Sequence, residues 1–240
     1  MRKLYEKKEI LFAVLWIVLY CVVMTPVKGQ FGYESVVMVL VLAAFAAGIT
    51  AFVTVNHLGE KYGLTGWPEN MKRYLFFIPI WILATGNLWD GFALSFRGGA
   101  LVCATLSMLL VGYVEEMLFR GFLFRAMLSE DRAAVAVTVT AITFGLGHIV
   151  NLFAGQATPE TFAQIIFAIA WGFLLTMAVF RSGSLLPCII AHAMIDVFSL
   201  YGADKETADW IYIGITAIVA AGYCIYLSRL QERDTEKERK

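Results

Sequence analysis

Long apolar segments separated by short polar ones make up most of this chain, and their lengths predict membrane-spanning helices. A helix needs about 20 mostly apolar residues to cross a bilayer, and eight segments approach that length. The predicted helices are 10–27, 36–56, 74–90, 100–127, 133–153, 161–180, 184–201 and 209–228. Because the connections are short, the pattern predicts one all-α domain, 1–240, folded as a polytopic membrane helix bundle of about eight transmembrane helices.

The composition supports a protein whose surroundings are the lipid bilayer. Hydrophobic residues make up 60% of the chain and charged residues 16%, whereas soluble domains contain about 25% charged residues. The formal net charge is zero and no basic patch with interleaved aromatic residues is present, which argues against a nucleic-acid partner. The four cysteines fall in apolar segments without CxxC spacing, so they predict no disulfide framework. The oligomeric state is left open.

Lys and Arg residues are distributed unevenly between alternate connections. With Arg120 left inside the membrane, one side has 15 of them and the other has three, of which Lys28 is one. Positively charged residues favour the cytosolic side of a membrane, so both termini are predicted to be cytosolic. We expect a multi-pass protein of the plasma (cell) membrane, with a charged, solvated cytosolic tail at about 229–240.

Three charged residues lie well inside the predicted fourth helix, namely Glu115, Glu116 and Arg120, whereas Arg125 lies near its end. At the bilayer centre they would together cost roughly 8–10 kcal/mol before any pairing, which indicates a functional site. Glu116 and Arg120 are four residues apart and share a helix face, so they are predicted to form a buried ion pair. Glu115 points about 100° away and is predicted to be a free carboxylate suited to general-base chemistry. The alternative is an ion pair that only fixes helix packing.

Two of the three histidines also lie within predicted helices. His148 follows Phe144 by one turn and precedes Asn151 by three residues; taken alone, it also fits a hydrogen-bonded core residue. His192 precedes Asp196 by one turn, so that the carboxylate could orient the imidazole.

Glu115, His148 and His192 together provide two chemical alternatives. A catalytic zinc needs about three nitrogen or oxygen ligands and one open position, and these three side chains could supply the ligands. They could equally form a metal-free site in which the carboxylate activates a water. Because no His-Glu-x-x-His motif is present, either site must be assembled across helices.

Three motifs, in this order on separate predicted helices, resemble those of the CAAX protease and bacteriocin-processing (CPBP, or Abi) family of intramembrane proteases. They are Glu115-Glu116-x-x-x-Arg120, Phe144-x-x-x-His148 and His192-x-x-x-Asp196. The resemblance covers a predicted catalytic core at about 100–200. It implies an intramembrane endopeptidase in which Glu115 activates a water with help from His148, while His192 binds the water, a metal or the developing oxyanion. It also implies a supporting role for the other motif residues and a membrane-associated substrate, prenylated or of the leader-peptide type. Asn151, three residues after His148, is predicted to be a supporting residue as well. Family members are described both as metalloproteases and as metal-free glutamate enzymes, so zinc stays an open alternative.

Two other classes of protein could place charged residues in a membrane. A proton-coupled transporter lines its ion path with them, but such folds usually contain internal repeats, and none is evident here. A non-catalytic immunity or regulatory membrane protein would bind a peptide without cutting it, and its function would survive Glu115→Gln.

Overall fold

The computed structural model describes residues 2–203 and 206–238, with the side chains of 2–203 and 210–230. Within these residues the chain forms helices and no strand, apart from one isolated bridge between Phe92 and Gly202. The α-helices are α1 (Arg2–Lys7), α2 (Glu9–Phe31), α3 (Val36–Val55), α4 (Ile78–Ala84), α5 (Gly98–Glu116), α6 (Phe124–Glu130), α7 (Ala133–Gly147), α8 (Thr158–Ser182), α9 (Leu186–Ser199) and α10 (Glu206–Glu238). Short 3₁₀ helices lie at Met71–Phe77, Gly86–Leu88 and His148–Leu152, and π-helical turns lie at Met117–Leu123.

Six helical segments in the described residues are long and apolar enough to cross a membrane. They are Glu9–Phe31, Val36–Val55, Gly98–Glu130, Ala133–Leu152, Thr158–Ser182 and Trp210–Leu230. These segments confirm the predicted polytopic helix bundle. At 14 residues, α9 is about 21 Å long, shorter than a bilayer core of about 30 Å. The count of eight spans, the single domain and the cytosolic position of both termini stay predictions.

The predicted helix 74–90 is wrong as a continuous helix. The backbone has left-handed φ angles of 51°, 52° and 56° at Leu75, Phe76 and Phe77, and α4 begins only afterwards. Pro79 explains the break, because its ring lacks an N–H and clashes with the carbonyl four residues earlier, at Leu75. A proline is tolerated in the first turn of a helix, so a new short helix begins there instead.

The predicted charged tail, 229–240, lies partly outside the described residues. The backbone of α10 continues as a helix to Glu238, while Arg239 and Lys240 and the side chains from 231 onward are not described. The solvated character of this tail therefore stays a prediction.

Small residues let the helices around the polar site approach closely. A Cβ atom on Gly112 of α5 would lie 2.8 Å from the Cα atom of Ala193 in α9, a distance that real Cβ atoms do not reach. Gly172 of α8 is similarly close to Ala141 of α7, at 3.0 Å. Such small-residue contacts are typical of membrane helix packing. The Gly112 contact lies one turn from Glu116 and next to His192, so it brings these two side chains within reach of each other.

The helix that contains the glutamates changes its winding directly after them. From Met117 to Leu123 it forms π-helical turns, and the N–H of Phe124 donates to the carbonyl of Phe119, five residues earlier. Such π segments are rare and are often found at functional sites. These turns pack against α2.

Candidate active site

One cavity contains the three side chains that the sequence predicts to be catalytic. It has a volume of about 230 Å³ and lies mainly between α2, α5, α7 and α9. Its walls include Glu115 from α5, His148 directly after α7, and His192 and Asp196 from α9. Since a water molecule occupies about 30 Å³ of the liquid, the cavity has room for several. The structure therefore brings together residues that lie on three separate parts of the chain; their roles stay predictions.

Glu115 has one oxygen held by a neighbouring helix and the other near a histidine. Its Oε1 accepts a hydrogen bond of 3.0 Å from the hydroxyl of Tyr20 in α2. Its Oε2 lies 3.8 Å from His192 Nε2, which is too long for a direct hydrogen bond. The side chain is 16% exposed. Glu115 is thus a carboxylate with a fixed orientation at the cavity wall.

Glu116, in contrast, is at the centre of a closed cluster of polar side chains. Its Oε1 accepts a 2.7 Å hydrogen bond from Arg120 Nη1, as the spacing of four residues predicts, and another of 2.8 Å from His192 Nδ1. Arg120 Nε also donates to Thr176 Oγ1 in α8 at 3.3 Å. Both side chains of the ion pair are fully buried. Because His192 Nδ1–H donates to Glu116, the Nε2 atom of that ring is left to face Glu115 and Asp196.

Asp196 contacts His192 less closely than the sequence suggests. Its Oδ2 lies 3.5 Å from His192 Nε2, whereas the Glu116 contact with the same ring is 2.8 Å. The side chain of Asp196 is 24% exposed and lines the cavity. The shorter orienting contact of His192 therefore comes from Glu116, on a different helix.

Phe144 holds the two imidazole rings and the guanidinium of Arg120 in place. Its ring centroid lies 5.3 Å from that of His148 and 5.6 Å from that of His192, in both cases in an edge-to-face arrangement. The Arg120 Cζ atom lies 4.1 Å from the same centroid, within the range of a cation–π interaction. His148 Nδ1 donates to the Phe144 carbonyl at 3.1 Å, which leaves its Nε2 for the cavity.

Asn151, a predicted supporting residue, belongs to a chain of polar side chains on the cavity wall. Its Oδ1 accepts a 3.0 Å hydrogen bond from Lys28 Nζ of α2. Its amide donates to Gln164 Oε1 of α8 at 2.8 Å, and Gln156 donates to the same oxygen at 3.0 Å. Lys28 Nζ also lies 4.8 Å from the ring centroid of Tyr33. These contacts connect the ends of α2 and α7 with the beginning of α8.

The contribution of α2 to the cavity is not among the features that the sequence predicts. Tyr20 and Lys28 line the cavity together with Met24, which lies one helical turn from each of them. Lys28 was placed in a connection, whereas the structure places it inside α2 with its ammonium in the bundle. A lysine three residues before the end of an apolar helix is a signal for such a position, although the same pattern also occurs in lysines that extend toward the membrane surface.

The zinc alternative was compared with the observed arrangement of side chains. Imidazole nitrogens and carboxylate oxygens are ligands that zinc accepts. Yet in 2–203 and the described part of α10, no group of three or more His, Cys, Asp or Glu side chains is placed to hold a metal ion. The Nδ1 contacts of His148 and His192 would themselves be compatible with a metal, because metal-binding histidines donate their other N–H in this way, but among the described residues three ligands are not placed together. The side chains as placed do not fit a bound zinc, so the steps below are derived from the chain's own groups.

Comparison with known proteins agrees with this site. Residues 97–198 match the family model described as type II CAAX prenyl endopeptidase Rce1-like, and this range contains Glu115, His148 and His192. No curated protein and no solved structure matches the chain. Residues 97–198 are thus similar to the Rce1-like type II CAAX prenyl endopeptidases, and the six long apolar helices in the described residues are those of a multi-pass membrane protein.

Proposed function

We propose that this protein hydrolyses a peptide bond of a membrane-associated peptide with a water molecule that Glu115 deprotonates. The observation that best supports the proposal is the position of Glu115 Oε2, 3.8 Å from His192 Nε2, at the wall of a cavity of about 230 Å³. Polar groups separated by more than about 3.5 Å are often bridged by water. A water hydrogen-bonded to Glu115 Oε2 would therefore lie beside an imidazole and inside a membrane protein.

Glu115 is the general base of the proposed reaction. Tyr20 holds its Oε1, so Oε2 is the oxygen that takes a proton from the water. A positioned base of this kind accelerates a reaction by about 10²–10⁴-fold. The oxygen of the water then adds to the carbonyl carbon of the peptide bond, which produces a tetrahedral intermediate with a negatively charged oxygen.

The two histidines act on the water and on that charged oxygen. Glu116 fixes the His192 ring through Nδ1, so that Nε2, when it has a proton, donates a hydrogen bond toward the reacting atoms. His148 is fixed in the same way by the Phe144 carbonyl, and its Nε2 accepts a hydrogen bond from the water. An oriented donor such as the His192 Nε2–H stabilises the charge that develops in the transition state.

The reaction ends when the carbon–nitrogen bond breaks. The proton on Glu115 moves to the amide nitrogen, which departs as an amine, while the carbonyl carbon becomes a carboxylic acid. Glu115 is again a carboxylate, so one water molecule is consumed for each peptide bond that is broken. No other reactant is required.

The proposed substrate is a peptide or protein segment in or at the plasma membrane, either a prenylated C-terminal segment or a leader-type segment. A regular helix shields its peptide bonds with its own hydrogen bonds, so the segment must enter the cavity extended or unwound. The polar walls supply the hydrogen bonds that lipid cannot provide to such a backbone.

The proposal is tested by comparing the peptides released from membranes that contain the native protein or Glu115→Gln at equal abundance. We expect a defined set of products, identified by mass spectrometry, that disappears in the variant. Glu160→Gln is the matched control, because it neutralises an exposed carboxylate at the start of α8, outside the cavity. The same products from a folded Glu115→Gln protein would reject the proposal and favour the non-catalytic, peptide-binding alternative.

A further inference from the structure

A lysine side chain lines the cavity, and within the described part of the chain it has no carboxylate partner. Lys28 belongs to α2, an otherwise apolar helix of 23 residues, and lines the same cavity as Glu115 and Asp196. A lysine near the end of such a helix can extend its ammonium to the membrane surface. Here the ammonium turns inward instead and donates to Asn151.

The contacts of this ammonium leave part of its bonding capacity unused. An ammonium has three N–H donors, and one of them is taken by Asn151 Oδ1 at 3.0 Å. The Tyr33 ring lies at 4.8 Å. In the part of the chain that the structure describes, no Asp or Glu oxygen lies within 4.0 Å of Lys28 Nζ. Asn151, in turn, is fixed by Gln164, so the cation is held in place by neutral groups only.

The charges of the cavity are arranged along its length. Glu115 and Asp196 both lie within 4 Å of His192, whereas Lys28 lies near the end of α2 with Asn151. A peptide whose C-terminus is ionised would be repelled by the carboxylates and attracted by the ammonium. The electrostatics therefore favour one orientation, in which the terminal carboxylate lies beside Lys28 and the preceding residues extend toward Glu115.

We propose that Lys28, held by Asn151, binds the C-terminal carboxylate of the peptide and so positions the bond that is cut. Lys28 is then a positioning residue for the substrate, and Asn151 acts through it. That the positioned bond is cut rests on the proposed function, but the binding of a carboxylate can be measured without any cleavage.

The experiment measures binding of a short dansylated peptide of leucine and alanine, made as the free acid and as the C-terminal amide. The full chain with Glu115→Gln is placed in phosphatidylcholine nanodiscs, so that no cleavage interferes, and dansyl fluorescence gives the dissociation constants. We expect the acid to bind about tenfold more tightly than the amide, because a charge-assisted hydrogen bond is lost in the amide. Adding Lys28→Met should remove this difference, Lys28→Arg should keep most of it, and Lys8→Met, at an exposed position, should leave it unchanged.

Equal binding of the acid and the amide to the chain with Lys28 intact would overturn the proposal, whatever the Lys28 variants do. So would an acid preference that persists in a folded Lys28→Met protein. If the acid preference is found but the native protein cuts neither peptide nor any membrane substrate, the proposed function fails and the carboxylate site stands. If the native protein cuts peptides but binds the acid and the amide equally, the carboxylate site fails and the proposed function stands.

Discussion

The two adjacent glutamates, Glu115 and Glu116, have opposite surroundings. Glu116 is fully buried and its Oε1 accepts hydrogen bonds from both Arg120 and His192. Glu115 has one hydrogen bond, from Tyr20, and an oxygen at the cavity wall. A rotation of about 100° between neighbouring helix positions is enough to place one carboxylate in a closed cluster and the other in contact with space for water.

This difference explains why the same chemical group can have two tasks in one site. A buried charge whose partner is removed destabilises a protein strongly, because the remaining charge is uncompensated. A carboxylate beside a water-sized space keeps an oxygen for a reacting molecule. Glu116 therefore determines where His192 lies, and Glu115 provides the reactive oxygen of the proposed mechanism.

The largest expected effect is that of Glu115→Gln, which should lose most of its activity and keep most of its stability. Loss of the general base should lower peptide hydrolysis by about 10²–10⁴-fold, while the amide can still accept the Tyr20 hydrogen bond and preserve the fold. Product formation by mass spectrometry and the melting temperature in detergent measure the two effects. A large fall in melting temperature would show that the two glutamates do not differ as the structure indicates.

A substitution in the buried cluster around Glu116 should, in contrast, lower the stability of the protein strongly. Arg120→Met leaves the buried Glu116 charge without its arginine partner, and we expect the free energy of unfolding to fall by about 3–5 kcal/mol. The double variant Glu116→Gln, Arg120→Met should recover part of this loss, since no unpaired charge is left. Denaturation in detergent measures both; a double variant less stable than Arg120→Met would contradict the assignment of Glu116 to the ion pair.

A smaller effect is expected for Tyr20→Phe, which removes the hydroxyl that holds Glu115. A hydrogen bond to a charged group contributes about 1.5–3 kcal/mol, so hydrolysis should fall by about tenfold or more without a large change in substrate binding. Phe45, which packs edge-to-face against Tyr20, remains as an aromatic neighbour. Unchanged steady-state turnover would mean that α2 does not orient the base.

Asp196→Asn should change activity by less than about threefold, because a 3.5 Å contact is long for a hydrogen bond. The matched comparison is Glu116→Gln, whose contact with the same imidazole is 2.8 Å and should matter more. If the order of the two variants in turnover is reversed, Asp196 is the residue that orients His192.

The smallest expected effect is that of metal removal. Because the described side chains hold no group arranged for a metal, treatment with a membrane-permeant chelator should leave hydrolysis unchanged within error. Inactivation that added zinc reverses would contradict this and establish the zinc alternative for Glu115, His148 and His192.

Local spacing predicted the buried ion pair but not the partners that arrive from other helices. Glu116 and Arg120 are four residues apart on one helix, so their contact follows from helix geometry alone. The contact of Glu116 with His192 joins residues 76 apart, and that of Tyr20 with Glu115 joins residues 95 apart. Both depend on how closely helices pack, as at Gly112, and one sequence does not specify such packing.

The membrane helices were predicted well where the apolar segment was long and uninterrupted, as in Glu9–Phe31 and Thr158–Ser182. The prediction for 74–90 was wrong because hydropathy alone does not detect a change of backbone conformation. Pro79 was the available signal. The left-handed backbone before it lies at Leu75 to Phe77, large residues that rarely adopt it.

The π-helical turns at Met117–Leu123 have a consequence for inherited changes in length. A π turn contains about one residue more than an α-helical turn, so deleting one residue there can be absorbed by a return to ordinary winding. A residue lost from the regular part of α5, Gly98–Glu116, has no such outlet and would rotate the glutamates by about 100° relative to the helix before the deletion. We therefore expect the loss of a single codon to be tolerated better in Met117–Leu123 than in α5.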